Sequence, residues 1–473
     1  MRVLFVEPPK EFWFIMGTYI PPPYGILALA GYLERELPDV EICVVDSQSE
    51  GLDWAGLENR IRENHPDLVA PSSMSTANAF LSLRTAELAK KVDKRIVTVL
   101  GGQHFTATAT ETLNKYPEVD YIILGEGEIT LVELVKCIML KKDPGKISGL
   151  APRNEGGIRI NERRDLICDL DTLPYPAYYR VAEHMRGYYF SLMAEKESHF
   201  AIIEGSRGCN YRCSYCSQSP FWDHTQRNKT PGRIVDEIEH LNREYGSSFF
   251  WFTDDHFLLG EYASTISDEI IRRGLKIKWF CQARCDDINK YKDSLPRLWE
   301  SGCIWMLVGF DTPNPSTLKN FRRGDLNRDI AKDAVLNLRE NNILSQGTFI
   351  IGERDDDRAS IQALREYADW LDPDIATFMA LTPYPGTEVY EEAKENGWIE
   401  DENWAHYDMI HAIMPTKHLT RGEVQEEIHR CYSDFFGNWD RRLRGVRSKN
   451  LYVSRTYRYL AKQALLNGLR SLF

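Results

Sequence analysis

The sequence predicts an α/β protein: a Rossmann-like N-terminal domain, a partial (β/α)6 barrel of the TIM type, and a helical C-terminal region. Three observations predict it. Residues 1–140 alternate short apolar runs with segments whose apolar residues recur at helical spacing. A second alternating series of the same kind runs over residues 199–381, and from about Tyr390 the chain reads as mostly helical.

In the first series the expected strands are 3–6, 40–46, 67–71, 96–101 and 121–124, with helices over 24–36, 52–64, 77–92 and 129–139. Such alternation needs right-handed crossovers and a parallel sheet covered on both faces, with a ligand at the carboxyl ends of the strands. Those exits carry Ser72-Ser73-Met74, Gly101-Gly102-Gln103-His104 and Gly125-Glu126-Gly127-Glu128. Glycine there lets main chain approach a ligand closely. Glu7-Pro8-Pro9 follows the first strand in place of GxGxxG, which argues against a dinucleotide.

Residues 141–198 read as a connector, with a hairpin near 154–157 and a turn-rich stretch over 169–178. The second series has strands over 200–204, 249–253, 276–282, 304–310, 345–351 and 375–381, separated by helices such as 234–245, 262–273, 330–341 and 360–371. Six βα units predict an incomplete barrel with its chemistry at the carboxyl ends of its strands. The expected organisation is therefore 1–140, 141–198, 199–390 and 391–473.

The chain has 473 residues, 43% hydrophobic and 27% charged, with a formal charge of −12. That balance excludes a disordered or collagen-like chain and argues against a nucleic-acid partner. No apolar run approaches the roughly 20 residues of a bilayer span, and the first residues lack a signal peptide's apolar core, so a soluble cytoplasmic protein is expected. Charge is uneven. Residues 441–473 hold nine Lys/Arg and no Asp/Glu, which leaves −21 on residues 1–440. A basic amphipathic helix of this kind can lie on anionic lipid, grip an acidic partner, or dock on the protein's own acidic body, and docking is the expectation here.

Of the ten cysteines, Cys43, Cys137, Cys168 and Cys431 are scattered and read as small buried hydrophobes. Cys281, Cys285 and Cys303 read as thiols on alternate sides of barrel strands rather than a second metal site. Cys209, Cys213 and Cys216 crowd into eight residues directly after the first barrel strand. Structural zinc takes four ligands, and no fourth Cys or His stands at close finger-type spacing, although His224 is an option. Three thiolates suit a four-iron cluster with one iron left open.

The segment Gly208-Cys209-Asn210-Tyr211-Arg212-Cys213-Ser214-Tyr215-Cys216 resembles the signature of radical S-adenosylmethionine enzymes, Tyr215 included. The resemblance implies a [4Fe-4S] cluster on the three cysteines. The open iron would chelate S-adenosylmethionine, whose reductive cleavage yields a 5′-deoxyadenosyl radical, with a flavodoxin- or ferredoxin-type protein as electron donor. By motif and position it assigns Tyr215, Asp254 and Asp255, Gln282 and Arg284, Asp311, and Gly347 with Gly352 to S-adenosylmethionine. Arg284 would take the carboxylate, since a guanidinium matches its geometry.

The N-terminal loops, with Pro21-Pro22-Pro23-Tyr24-Gly25 and Pro383-Tyr384-Pro385-Gly386-Thr387, are similar to class B radical methylases, which carry a cobalamin-binding domain ahead of the barrel. The resemblance spans roughly residues 1–400. It assigns the three exit loops to cobalamin, together with Gln48. Cobalamin mutases carry Asp-x-His-x-x-Gly, whose His ligates cobalt from below, and here Asp46-Ser47-Gln48-Ser49-Glu50-Gly51 places Gln48 at that position.

The implied activity is methylation of an unactivated sp3 carbon with methylcobalamin as donor. A peptide or protein substrate is expected, with the glutamine Cα of methyl-coenzyme M reductase as one candidate. The alternatives are a related enzyme acting on a tetrapyrrole or on lipids and, outside enzymes, an iron–sulfur or cobalamin sensor or electron carrier.

Overall fold

Both apolar series become parallel sheets. The computed structural model describes residues 1–10, 19–73, 75–154, 157–190, 199–324 and 326–470. The N-terminal sheet runs Glu41–Asp46, Arg2–Glu7, Leu68–Pro71, Val97–Leu100 and Tyr121–Ile123, all parallel. Chain order reverses between Arg2–Glu7 and Leu68–Pro71, and a ligand crevice forms at such a switch point. The connector contributes more than a link: Leu150–Asn154 and Gly157–Ile158 extend this sheet antiparallel, making seven strands. Two short helices, Gly102–Ala107 and Ala109–Lys115, stand where the sequence predicts only a loop, because Gly102 opens a helix directly from the strand exit.

The second sheet is the expected open barrel. Its strands are His199–Ile203, Ser247–Phe252, Lys278–Ala283, Cys303–Asp311, Leu344–Ile351 and Ile375–Ala380, in sequence order and all parallel. Helices between them begin where the sequence supplies caps. Thr230 precedes Pro231 at the start of Pro231–Tyr245, and Asp357 with Ser360 forms a reciprocal capping box on Arg358–Leu371.

An open barrel leaves two strand edges with unpaired main chain. One tyrosine hydroxyl serves each. On the first strand, Tyr178 Oη donates to Ile202 O at 3.0 Å and accepts from Ile202 N at 3.3 Å. On the last, Tyr432 Oη donates to Phe378 O at 2.9 Å and accepts from Phe378 N at 3.0 Å. The barrel interior is filled by aromatic rings. Phe280 stacks on Trp305, Trp251 and Phe249 at 4.3, 5.4 and 5.6 Å, and Phe190 closes the group 5.5 Å from Trp305. Burying each such ring is worth about 2–3 kcal/mol.

The basic C-terminal segment docks on the body. Arg441 is buried, with Nη1 2.8 Å from Asp369 and Nη2 3.0 Å from Asp372, and Tyr457 Oη donates to Asp374 O at 3.0 Å. Gly445 is required there, because a Cβ would stand 2.3 Å from the Tyr457 ring. Residues 471–473 lie outside the described residues. Among the described residues no helix is long and apolar enough to cross a membrane. Of the four scattered cysteines only Cys431 is buried; Cys43 and Cys137 are half-buried on helix and strand faces, and Cys168 is exposed on the connector.

Candidate functional site

The carboxyl ends of the two sheets face each other across a cavity of about 430 Å³. The N-terminal wall is made of Ser72, Ser73, Gly101, Gly102, Gly125 and Gly127; the barrel wall carries Glu204, Arg207, Trp222 and Trp251. Two glycines are held at positive φ, Gly102 at +85° and Gly125 at +75°. A Cβ on Gly102 would stand 3.0 Å from Ser73 O, and one on Gly125 would stand 3.3 Å from the Arg163 guanidinium. Ser73 Oγ on the N-terminal wall and Trp251 Nε1 on the barrel wall are buried without a hydrogen-bond partner among the described residues.

The cysteine loop lies beside the cavity. Cys209, Cys213 and Cys216 are half-buried free thiols on one loop between the first barrel strand and the helical turn Gln218–Phe221. Burial raises all three, Cys216 to about 12, and the Cys213 charge adds a smaller upward push on Cys209 and Cys216. Among the described residues no three His, Cys, Asp or Glu side chains already converge on one point. The loop is pinned from several sides. Ser214 Oγ donates to Asn320 O at 2.9 Å, and Tyr215 packs edge-on against Phe321 at 4.9 Å while its hydroxyl donates to Asp311 at 3.2 Å. Arg284 lies over the Tyr211 ring at 3.6 Å and pairs with Asp286 at 2.9 Å. His224 is turned to Ser219 Oγ at 2.6 Å.

The two sets of loops touch. Gln103, from the N-terminal wall, meets Gln218 through its amide nitrogen and Ser217 Oγ through its oxygen at 3.5 Å, immediately after Cys216. Arg163 braces the same turn by donating to Phe221 O at 2.6 Å.

A B12 binding domain model matches residues 17–135 and a radical SAM superfamily model matches residues 203–366. An uncharacterized methyltransferase of Pyrococcus horikoshii is 30% identical over 440 residues, 92% of each chain. The chain belongs to the cobalamin-dependent radical S-adenosylmethionine methyltransferases. An anaerobic magnesium-protoporphyrin IX monomethyl ester cyclase of Cereibacter sphaeroides is 28% identical over 92% of this chain and 70% of its own. The methyltransferase shares its fold with TsrM of Kitasatospora setae, solved with cobalamin and a [4Fe-4S] cluster: TM-score 0.68, 19% identity, 92% of this chain and 88% of that one.

The cofactors of this radical S-adenosylmethionine methyltransferase are a [4Fe-4S] cluster, cobalamin and S-adenosylmethionine, and its residues fit them. Three adjacent unbonded thiols, with the Arg284 and Arg323 guanidinium groups opposing their burial penalty, are a donor set a four-iron cluster can take. The glycine cradle and the unpartnered Ser73 and Trp251 groups suit a bulky ligand with polar substituents between the sheets.

Not every expected residue reaches the cavity. Met74 lies outside the described residues. Gln48 does not line the cavity; its Nε2 donates to Lys10 O at 2.7 Å, while Asp46 accepts from Tyr188 Oη at 2.7 Å. His104 is buried behind the wall, 4.3 Å from Trp404 and 3.3 Å from Thr76 Oγ1, and burial lowers it to about 3. Glu126 and Glu128 line the wall but are engaged by arginines.

Several residues assigned to S-adenosylmethionine are already committed to the protein. Asp254 is wholly buried, accepting from Gly205 N at 3.0 Å and Ser206 Oγ at 2.5 Å, so it ties the cysteine loop to the second strand. Asp311 holds Arg323 at 2.8 Å with φ +51°. Gly347 makes room for Phe310, whose ring atoms would stand 2.7 and 2.8 Å from a Cβ, and Gly352 supplies φ +94°. Among the described residues Gln282 is engaged through its main chain only, its backbone carbonyl accepting from Phe257 N at 3.0 Å. Asp255 and Arg284 remain beside the thiols, Asp255 raised to about 7 by burial and then by Asp254. The three thiols do not alternate across barrel strands as expected: Cys281 and Cys303 are buried against each other, and Cys285 opens the helix Cys285–Lys290, its thiol donating to Gly309 O at 3.6 Å. Sequence reasoning missed Arg207, Arg227, Arg323 and Arg163; the one local signal was Arg207 standing two residues before Cys209.

Proposed function

We propose that this chain methylates an unactivated sp3 carbon of a peptide or protein, with the glutamine Cα of methyl-coenzyme M reductase as the finer candidate. The observation that carries the reading is the contact of Gln103 with Ser217 and Gln218, which sets the glycine-walled cavity and the cysteine loop side by side. Cys209, Cys213 and Cys216 would hold the cluster, Arg284 and Asp255 would face S-adenosylmethionine, and the Ser72-Ser73, Gly101-Gly102 and Gly125–Glu128 loops would hold cobalamin. The bound cofactors supply hydrogen-atom abstraction and the methyl group. A flavodoxin- or ferredoxin-type protein would supply electrons. The protein's part is to orient a substrate carbon between the walls and to exclude water. The apolar rings of Tyr24, Phe221, Trp222 and Trp251 on the cavity surface serve that exclusion. The carboxylates at the mouth are spent on arginines, so a strongly cationic substrate draws no support from them.

A second reading, chemistry on a tetrapyrrole, rests on the cyclase relative. Anaerobic reconstitution with methyl-labelled S-adenosylmethionine separates the two. The peptide bearing the candidate glutamine should lose one hydrogen atom and gain one labelled methyl, with one 5′-deoxyadenosine formed from S-adenosylmethionine per methyl transferred. Unlabelled peptide beside a tetrapyrrole that loses hydrogen without gaining label overturns the methylation of a peptide.

A further inference from the structure

Arg207 stands two residues before Cys209 on the short strand Ser206–Gly208, which pairs antiparallel with Gln226–Asn228. Its guanidinium is buried and engages three carboxylates: Nη1 reaches Glu126 at 2.7 Å, Nη2 reaches Glu128 at 2.7 Å, and Nε reaches Glu204 at 2.9 Å. Glu204 belongs to the barrel, whereas Glu126 and Glu128 belong to the N-terminal loop that includes Gly125 and Gly127. Two arms of one side chain therefore cross from the cysteine-loop strand to the cavity wall made by the other sheet. Glu126 is gripped a second time, by Arg227 Nη1 at 3.0 Å, and accepts from Ile167 N at 2.7 Å.

Cohesion alone does not account for this arrangement. Taking five charged groups out of water is costly, and an apolar contact of the same size would hold two domains together at least as well. A planar fork adds direction, because each N–H must lie along a carboxylate lone pair. The loop it grips has two glycines and would otherwise be soft. We propose that Arg207 is a positioning residue that fixes the separation of the cobalamin-side loop 125–128 from the cysteine loop, and with it the gap across which the two cofactors act on a substrate. This rests on the assignment of those two loops to cobalamin and the cluster.

Arg207→Lys and Glu128→Gln, each prepared as reconstituted holoprotein beside the unsubstituted protein, test it. Lysine keeps the charge but cannot span three carboxylates in fixed directions, and Glu128→Gln removes one ionic arm alone. Interspin coupling between cob(II)alamin and the reduced cluster, read by electron paramagnetic resonance, should fall at least twofold in Arg207→Lys at unchanged iron and cobalamin content. Hydrogen exchange at residues 125–128 of the cofactor-free chain should accelerate about tenfold. If Arg207→Lys does not load, Glu128→Gln is read in the same way, and unchanged coupling there overturns the proposal. A lower melting temperature with unchanged coupling also overturns it, since a merely stabilising residue behaves so. An unsubstituted protein that loads no cobalamin between these loops would instead defeat the assignment of the loops.

Discussion

On the N-terminal side the cavity wall includes main chain presented by Ser72-Ser73, Gly101-Gly102 and Gly125 at the ends of a sheet whose far edge is continued by an antiparallel pair. On the barrel side the wall is charged and aromatic side chain, and the sheet behind it ends on two bare edges that tyrosines cover. The difference is one of how each wall is held still. The glycine-bearing loops are set by the φ their glycines adopt and, at residues 125–128, also by the arginines that grip Glu126 and Glu128. A wall of carboxylates and guanidinium groups must be neutralised before it can face a ligand: Glu204 is paired by Arg207 beside it, and Arg207 in turn by Glu126 and Glu128 on another loop. Substitutions should therefore act through conformation on one side and through lost partners on the other.

The largest effect is expected on the barrel side. Cys213→Ala should abolish the broad iron–sulfur absorbance and all cleavage of S-adenosylmethionine, while cobalamin binding, carried by the other wall, stays within about twofold. Retention of the cluster in that variant would break both the ligand assignment and the separation of the walls.

Next comes a pH effect confined to the barrel. Asp254 is raised to about 7, chiefly by burial, whereas an unfolded aspartic acid ionises near 3.9. Between these values only the unfolded chain has released its proton. The folded state thus loses ground as pH rises from about 4 to about 7, by an amount on the order of 4 kcal/mol, and loses little more above that. Urea midpoints measured from pH 4.5 to 7.5 should fall with pH, and Asp254→Asn should reduce the slope to the part carried by Asp255, which burial also raises to about 7. An equal slope in Asp254→Asn would place the burden elsewhere.

On the N-terminal side, Gly102→Ala puts a side chain at φ +85° with its Cβ 3.0 Å from Ser73 O. Left-handed backbone costs about 1–2 kcal/mol per residue, and the Ser72-Ser73 loop must shift to relieve the contact. Cobalamin affinity should fall about tenfold, equivalent to about 1.4 kcal/mol, with cluster content unchanged. Spectrophotometric titration reads both. Unchanged affinity would show that the wall is not set by main-chain geometry.

The same contrast explains what could be read from the sequence. Strand periodicity, the cysteine spacing and the glycine exits are local, and each is legible because neighbouring residues carry it. The expected strands 121–124 and 345–351 lie within a residue of Tyr121–Ile123 and Leu344–Ile351. The partners of the charged wall are 79 and 81 residues away for Arg207 with Glu128 and Glu126, a separation at which no periodicity operates. Asp254 and Asp311 were legible as strand-end residues and Gly347 as a residue of the fifth strand, but not in their engagements, because Ser206, Arg323 and Phe310 reach them only through the fold. At Gln48 a motif position was legible but its engagement was not: its amide donates to Lys10 O, and Asp46 two residues earlier accepts from Tyr188 Oη.

The smallest effect tests how the barrel sheet ends. Tyr432→Phe removes one hydroxyl that both donates to Phe378 O and accepts from Phe378 N, leaving a main-chain pair on the last strand without its partner. The ring stays packed edge-on against Phe378, 5.4 Å between centroids. What is lost is therefore hydrogen bonding alone, about 1 kcal/mol net and up to about 3 kcal/mol if no water reaches the pair. Tyr178→Phe makes the same deletion at the first strand, where Ile202 is the partner. Neither tyrosine lines the cavity, so cobalamin and iron content should not change. The two variants should destabilise by similar amounts, and the double variant by their sum, because the edges lie at opposite ends of the sheet and share no partner. A double-mutant cycle in urea denaturation reads this. Strong coupling between them would mean that the two edges communicate through the stacked rings around Phe280, and the barrel would then be a single strained unit rather than a sheet with two independent ends.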